Sequence, residues 1–137
     1  MRPLPLAALT CVLGALLLPP AAQAKTGLFQ SPTGNIGCYL SAGGVRCDIR
    51  FKDWPTPKRP KNCDVDYGQG LAVDKSGRAG FVCAGDTAID RTSPVLAYGK
   101  TRSAGRFTCA SHTEGMTCTN RRNGHGFFLS RQSYRRF

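Results

Sequence analysis

Two stretches with one outline decide the fold: Cys38-Tyr39-Leu40-Ser41-Ala42-Gly43-Gly44-Val45-Arg46-Cys47 and Cys109-Ala110-Ser111-His112-Thr113-Glu114-Gly115-Met116-Thr117-Cys118. Both place their cysteines nine positions apart. Folding the first back around Ala42-Gly43 sets 38 opposite 47 and 39 opposite 46; the second folds at Thr113-Glu114, with Gly115 just after the turn. Cross-strand neighbours stand close enough for a disulfide to join them, so each stretch reads as a hairpin stapled by its own cysteines.

Working outward, Cys63 and Cys83 bracket a third hairpin: Gly70-Leu71-Ala72-Val73-Asp74, a Lys75-Ser76-Gly77 turn, and Arg78-Ala79-Gly80-Phe81-Val82-Cys83 returning with small and apolar residues. The spacing therefore favours sequential pairing, Cys38 with Cys47, Cys63 with Cys83 and Cys109 with Cys118, although six cysteines leave other connectivities open. Val95-Leu96-Ala97-Tyr98 and Gly126-Phe127-Phe128-Leu129-Ser130 read as further short strands. Ser130 to Arg136 carries the single helix-compatible turn, too short to hold unless docked. Trp54-Pro55-Thr56-Pro57-Lys58-Arg59-Pro60-Lys61 combines prolines and cations that no strand or helix interior tolerates, and reads as a stiff, exposed connector. With 16 glycines in 137 residues, the expected class is mainly β: a small disulfide-stapled antiparallel sandwich or open barrel of short hairpins, with at most one short C-terminal helix.

The N-terminus looks like a cleaved export signal. Arg2 precedes an apolar run from Leu6 to Leu18, Pro19-Pro20 ends it, and Ala22-Gln23-Ala24 supplies the small-x-small cleavage pattern. The run is shorter than the ~20 apolar residues that span a bilayer, so the organisation reads as a signal over 1–24 and a single secreted domain over 25–137, with no membrane anchor. Cys11 lies within the signal, where Ala8-Leu9-Thr10 makes a poor lipobox. The six cysteines that follow suit an oxidising compartment.

Ser31-Pro32-Thr33-Gly34-Asn35-Ile36-Gly37-Cys38, Val45-Arg46-Cys47-Asp48-Ile49, Cys83-Ala84-Gly85-Asp86-Thr87 and Gly124-His125-Gly126-Phe127-Phe128-Leu129-Ser130-Arg131 resemble a family of short secreted actinobacterial proteins known only as a domain of unknown function. The resemblance runs from about Phe29 to Phe137. It implies secretion into a Gram-positive-type envelope and brings no catalytic residues with it.

Chemistry-bearing residues are few. His125, between Gly124 and Gly126, is the candidate general base, against the plainer expectation that the glycines serve a turn and the imidazole locks it. His112 sits at an expected hairpin tip. Two histidines and a cation are the set a small secreted ribonuclease uses. No Gly-x-Ser-x-Gly elbow supports a serine hydrolase. Six thiols expected as bridges leave no zinc site, and Asp64-Val65-Asp66 lacks a calcium loop around it. Neither a metal nor a cofactor is expected, and Asp86 is expected to cap its own turn.

Charge is the stronger signal. The chain carries 19 Lys+Arg against 8 Asp+Glu, a net +11. No acid follows Glu114, while Arg121, Arg122, Arg131, Arg135 and Arg136 accumulate among Phe127, Phe128, Tyr134 and Phe137. Lys58, Arg59 and Lys61 form a second cluster beside Trp54. Alternation buries Phe127 and Leu129 and turns Phe128 outward, so Phe128 and Trp54 are the expected exposed aromatics. Such a field draws polyanions: an anionic envelope polymer, an acidic glycan or a lipid headgroup, nucleic acid being less available outside the cell. The leading expectation is a secreted, non-catalytic module that binds one of these through its arginine-rich face. Alternatives are a protease inhibitor presenting Trp54 to Lys61 to a soluble protein partner, and a small hydrolase or nuclease built on His125.

Overall fold

The computed structural model describes residues 26–137 and is all β. The export signal expected over 1–24, with Cys11, and Lys25 after it lie outside the described residues. Ten strands form two five-stranded antiparallel meanders. The first sheet runs in chain order through β1 (Gly27–Gln30), β2 (Ile36–Ser41), β3 (Gly44–Ile49), β4 (Tyr67–Asp74) and β5 (Gly80–Cys83). The second runs through β6 (Thr101–Ala104), β7 (Phe107–Ser111), β8 (Met116–Asn120), β9 (Gly126–Leu129) and β10 (Tyr134–Arg136).

The two stapled hairpins form in the register that their sequence predicts. Cys38 faces Cys47 and Tyr39 faces Arg46 across β2 and β3; Cys109 faces Cys118 across β7 and β8. The three disulfides are the sequential ones, 38–47, 63–83 and 109–118. In both hairpins an apolar residue stands two before the first cysteine and two before the second: Ile36 and Val45, then Phe107 and Met116. All four are buried with the sulfurs, because side chains spaced by two share a face. The 38–47 and 109–118 bridges therefore point inward from opposite sheets and meet, with Cys47 Sγ 3.6 Å from Cys118 Sγ.

Around this sulfur contact the inner faces close over Phe29, Leu40, Ile49, Leu71 and Val73 from the first sheet and Phe107, Met116, Phe127 and Leu129 from the second, none more than 1% exposed. Strand β4 packs on this core with Leu71 and Val73, while its Gly70 passes so close to β3 that a Cβ there would lie 2.3 Å from the Cys47 carbonyl oxygen and from Asp48 Oδ1.

The chain after β5 crosses part of the outer face of the first sheet, over Gly37, Arg46 and Asp48. Arg46 clasps the carboxylate of buried Asp48 with two bonds, Nη2 to Oδ2 at 2.6 Å and Nε to Oδ1 at 3.1 Å, and reaches Asp86 Oδ1 at 2.8 Å and its carbonyl oxygen at 2.8 Å. Asp48 also accepts from the Ala88 amide and the Thr87 hydroxyl. The bond to Asp48 holds the Arg46 guanidinium above its ordinary pKa in spite of burial, and Asp86 adds to it. Asp86 thus serves as a strap between this segment and the sheet, more than as the local cap its sequence suggested.

Three expectations about secondary structure are corrected. Ser130 to Arg136 is a turn and the edge strand β10, since the main chain of 134–136 pairs with β9 and outcompetes a helix too short to stand alone. Val95 to Tyr98 makes one parallel bridge, Val95 to Gln30, where Pro94 offers no amide to extend it. Trp54 is 8% exposed: its Nε1 donates to the Ser130 carbonyl at 3.0 Å and its ring meets Tyr134 edge-on at 4.7 Å. A large ring whose N–H finds a buried acceptor stabilises the open end of a sandwich better than it would in water.

The sulfur contact makes a double-mutant cycle informative. Replacing Cys38 and Cys47 by alanine, or Cys109 and Cys118, each releases a short loop and should cost about 3 kcal/mol. Because the bridges touch, removing both should depart from the sum by more than about 0.5 kcal/mol, measured by urea unfolding of the variants. Simple additivity would show the contact to be energetically idle.

Candidate functional site

Alternating strand directions send the turns after β2, β4, β6 and β8 to one end of the sandwich and all other connections to the opposite end. The sheets are aligned at that first end. A Cβ on Gly105 would lie 3.2 Å from Ala42, and Asn120 Nδ2 donates to the Asp74 carbonyl at 3.4 Å.

This alignment sorts the charge. The first end gathers Lys75 and Arg78 from the β4–β5 turn, Arg106 from the β6–β7 turn, Arg121 and Arg122 from the β8–β9 loop, and Arg136 from the tip of β10. Of the 8 Asp and Glu residues, only Asp74 is here. Its Oδ1 is occupied by the Ser76 amide at 2.8 Å and hydroxyl at 2.7 Å, and these bonds hold the carboxyl below its ordinary pKa. Asp48, Asp53, Asp64, Asp66, Asp86, Asp90 and Glu114 all lie toward the far end. Among the described residues, carboxylate ion pairs engage Arg46 and Arg131, and none of the six cations at the basic end.

The basic end is held rigid. Arg121 donates from its amide to the Arg106 carbonyl at 2.7 Å and from its guanidinium to the carbonyl of Gly105, joining two loops. Asn120 is fully buried. Its amide donates to the His125 carbonyl at 2.7 Å, its carbonyl accepts from Gly124 at 2.8 Å, and its Oδ1 accepts from the Arg122 amide at 3.0 Å. The loop that carries Arg121 and Arg122 is therefore closed at its neck. Between Arg78, Ala79 and Arg136 lies a cleft of about 260 Å³, with the Arg136 guanidinium over the Phe81 ring at 5.0 Å. Two forked cations flanking one small cleft suit a phosphate or a carboxylate.

The residues singled out in the sequence are divided by the fold. Arg121, Arg122 and Arg136 share the basic end. Arg135 is the cross-strand neighbour of Phe128 on the outer face of the second sheet, its guanidinium 5.5 Å from that ring and 5.9 Å from Phe137. Arg131 is at the far end, bonded to Asp53 at 3.3 Å. Lys58, Arg59 and Lys61 are exposed on the far-end loop, away from Arg121 and Arg122. The start of that loop is tied down: Lys52 Nζ donates to the Trp54 carbonyl at 3.0 Å and to Thr56 Oγ1 at 2.8 Å, under a cation–π contact with the Trp54 ring at 4.2 Å. Phe127 and Leu129 are buried, as their alternation predicted; Phe128 lies on the outer face but is half-buried, not exposed as expected, because the Arg135 guanidinium covers its ring.

His125 and His112 lie at opposite ends of β8, so the two imidazoles do not converge on one reacting group. Gly124 takes a left-handed turn with φ of 79°, and a Cβ on Gly126 would lie 2.2 Å from the Cys118 carbonyl oxygen. Both glycines flanking His125 thus have structural causes. Lys75, Arg78, Arg106 and Asn120 were missed by the sequence reading. Asn120 alone had a signal, a polar side chain two residues after Cys118 and hence on the inner face. Cys38, Cys47 and Cys118 form the one sulfur cluster close enough to hold a metal among the described residues, but their sulfurs are spent in disulfides. No helix of the described residues is long and apolar enough to cross a membrane.

The family model that matches this chain is that of a family of unknown function, DUF6636, over residues 8–137. No curated protein and no solved structure matches it.

Asn120→Ala should cost about 1–3 kcal/mol by removing the bonds of its buried side chain to the Arg122 amide and the Asp74 carbonyl, whereas Asn62→Ala, exposed on the β3–β4 loop, should stay within about 0.5 kcal/mol; thermal denaturation distinguishes the two. The pH dependence has a definite sign. Asp74, Asp86 and Asp90 are held below the ordinary 3.8 and Glu114 below the ordinary 4.5, chiefly by hydrogen bonds from Ser76, Arg46, Thr92 and the Glu114 amide respectively. The unfolded chain binds protons more readily at these groups, so their contribution is present above the ordinary values and lost as pH falls through the lowered ones. The melting temperature should be level with respect to these groups above about pH 5 and fall below it, less steeply in Asp86→Asn.

Proposed function

The chain belongs to DUF6636, a family of unknown function, and on that premise we propose that it is a secreted, non-catalytic module that binds an anionic polymer of the cell envelope or extracellular matrix through the basic end of its sandwich. The observation that carries this reading is the separation of charge along the strands. Lys75, Arg78, Arg106, Arg121, Arg122 and Arg136 converge with Asp74 as the one acidic side chain among them and no ion pair to any of the six, on loops fixed by Asn120 and Arg121.

A field of one sign concentrated on one surface raises the local concentration of polyanions and speeds their capture. Rigid loops lose little entropy on binding, which favours affinity from modest contacts. Three disulfides fit an oxidising compartment outside the cytoplasm, where phosphodiester wall polymers, acidic glycans and lipid headgroups supply the ligand chemistry. The inhibitor reading loses ground because Trp54, the first residue of its loop, is buried against Ser130 and Tyr134 and not presented to a partner, and the nuclease reading because His125 has no second histidine beside it.

Titration with polyphosphate and with a polyuronate tests the proposal and separates phosphate from carboxylate. Binding should weaken steeply as salt rises to about 0.5 M, where screening extends only a few ångströms. Arg78→Glu with Arg136→Glu should lower affinity at least about tenfold, ~1.4 kcal/mol. Reversal of Lys58, Arg59 and Lys61 at the far end should change it little. Equal loss from both sets would reduce the interaction to net charge, and the absence of binding to either polymer would remove the proposal.

A further inference from the structure

The far end carries a different surface. A cleft of about 370 Å³ opens between the β1–β2 loop, the segment after β3, the segment before β6, and the β7–β8 and β9–β10 turns. Two aromatic side chains on its walls face water: Phe51, 59% exposed, and Tyr98, 43% exposed. An exposed phenylalanine loses hydrophobic stabilisation, yet the backbone of this one is held in place, and the Arg50 guanidinium lies over one face of its ring at 5.2 Å. The Asn35 side chain pairs with its backbone on both sides, Nδ2 donating to the Phe51 carbonyl at 3.0 Å and Oδ1 accepting from its amide at 2.9 Å. Tyr98 is fixed by its neighbour, since the Gly99 amide donates to the Ser111 carbonyl at 2.8 Å. The β7–β8 turn on the third wall is closed by His112 and Gly115, which exchange two backbone bonds.

The rest of the lining is polar and short of positive charge. Arg131 is offset by Asp53, and bonds from its own amide and Thr113 hold the Glu114 carboxyl below its ordinary pKa. The Gln132 amide and the His112 imidazole line the cleft with no hydrogen bond to protein. A polyanion, the ligand of the opposite end, is therefore disfavoured here. Preordered aromatic faces beside planar amide, imidazole, carboxylate and hydroxyl groups suit a ring that offers C–H groups to an aromatic face and hydroxyls to its edges. The negative face of an aromatic ring attracts such C–H groups, and the volume falls near the lower bound of small-ligand pockets, about 300–1,000 Å³.

We propose that this cleft is a saccharide site, which takes a short stretch of neutral glycan on Phe51 and Tyr98, with Gln132, His112 and Glu114 bonding its hydroxyls. It is independent of the polyanion reading, whose residues lie at the other end.

The test is an NMR titration of the oxidised protein with two neutral probes, chitotetraose and maltotetraose, to about 10 mM each. Saturable shifts at Phe51, Tyr98 and Gln132 that persist at about 0.5 M salt, where charge attraction is screened, are expected for at least one probe. Phe51→Ala and Tyr98→Ala should each weaken binding at least about tenfold; both rings are exposed, so the melting temperature checks that the variants stay folded. Gln132→Ala, on an exposed turn, serves as a second variant and should weaken binding severalfold. Arg78→Glu with Arg136→Glu should leave it unchanged. No saturable shift with either probe overturns the proposal, as does binding that survives in the Phe51 and Tyr98 variants or moves to the basic end.

Discussion

The contact of Cys47 Sγ with Cys118 Sγ at 3.6 Å is the constraint from which the rest of the molecule follows. A bridge between facing strands fixes the register of its hairpin, and register decides which side chains point inward. With 38 opposite 47, residues 36, 40, 45 and 49 must share the sulfur face; with 109 opposite 118, so must 107, 111, 116 and 120. Two such faces can exclude water only against each other. The stacked bridges occupy the middle of that interface, where a small domain otherwise needs larger apolar side chains to reach across.

The same register exports the functional asymmetry. In a meander, odd and even turns go to opposite ends, so the loop in which a cation falls determines the end at which it is displayed. Lys75, Arg78, Arg106, Arg121 and Arg122 are spread over nearly fifty positions of sequence yet fall in turns of one parity, whereas seven of the 8 acids belong to the other end or to the strap over the first sheet. Asp48 shows how an acid is spent there: its carboxylate accepts from Arg46, Thr87 and Ala88 at once, and so fastens the chain after β5 instead of lowering the potential of the basic loops. One buried acid that serves the fold, and cations gathered at one end with most acids at the other, polarise the surface of an already strongly basic chain.

Where the sequence was legible, local chemistry and tertiary packing agreed. The stapled hairpins could be read because cysteine spacing, turn glycines and apolar alternation all demanded one register. Strands β1 and β6, Gly-Leu-Phe-Gln and Thr-Arg-Ser-Ala, have no such agreement; they are edge strands whose pairing comes from a neighbour's free main chain. Strand β10 is exposed at all three positions and leaves no burial pattern to read. Trp54 was hidden by its prolines, which describe a loop correctly but do not say that its first residue folds back to reach the Ser130 carbonyl. The arginines near the C-terminus were visible as a run. Their partners Lys75, Arg78 and Arg106 were not, because parity of turns is a property of the completed sheet.

The two ends together define what kind of binder this scaffold can be. A single charged patch recognises any polyanion of sufficient charge density, so affinity alone would leave the module promiscuous. Discrimination needs groups that reject as well as attract, and the far cleft would supply them: Glu114 and the paired Arg131 would disfavour the polyanions proposed for the basic end, while Phe51 and Tyr98 would offer contact that salt does not screen. If both proposals hold, a polymer with acidic and neutral stretches would meet an anion site at one pole of a rigid body and a ring-stacking cleft at the other, on one chain or on neighbouring chains. Simultaneous engagement raises the effective concentration at the second site and converts two modest affinities into a stronger one. Rigidity is what makes this gain available, since a flexible body would lose it to the entropy of aligning the two sites. The stacked disulfides that set the register therefore also fix the distance over which the module can bridge.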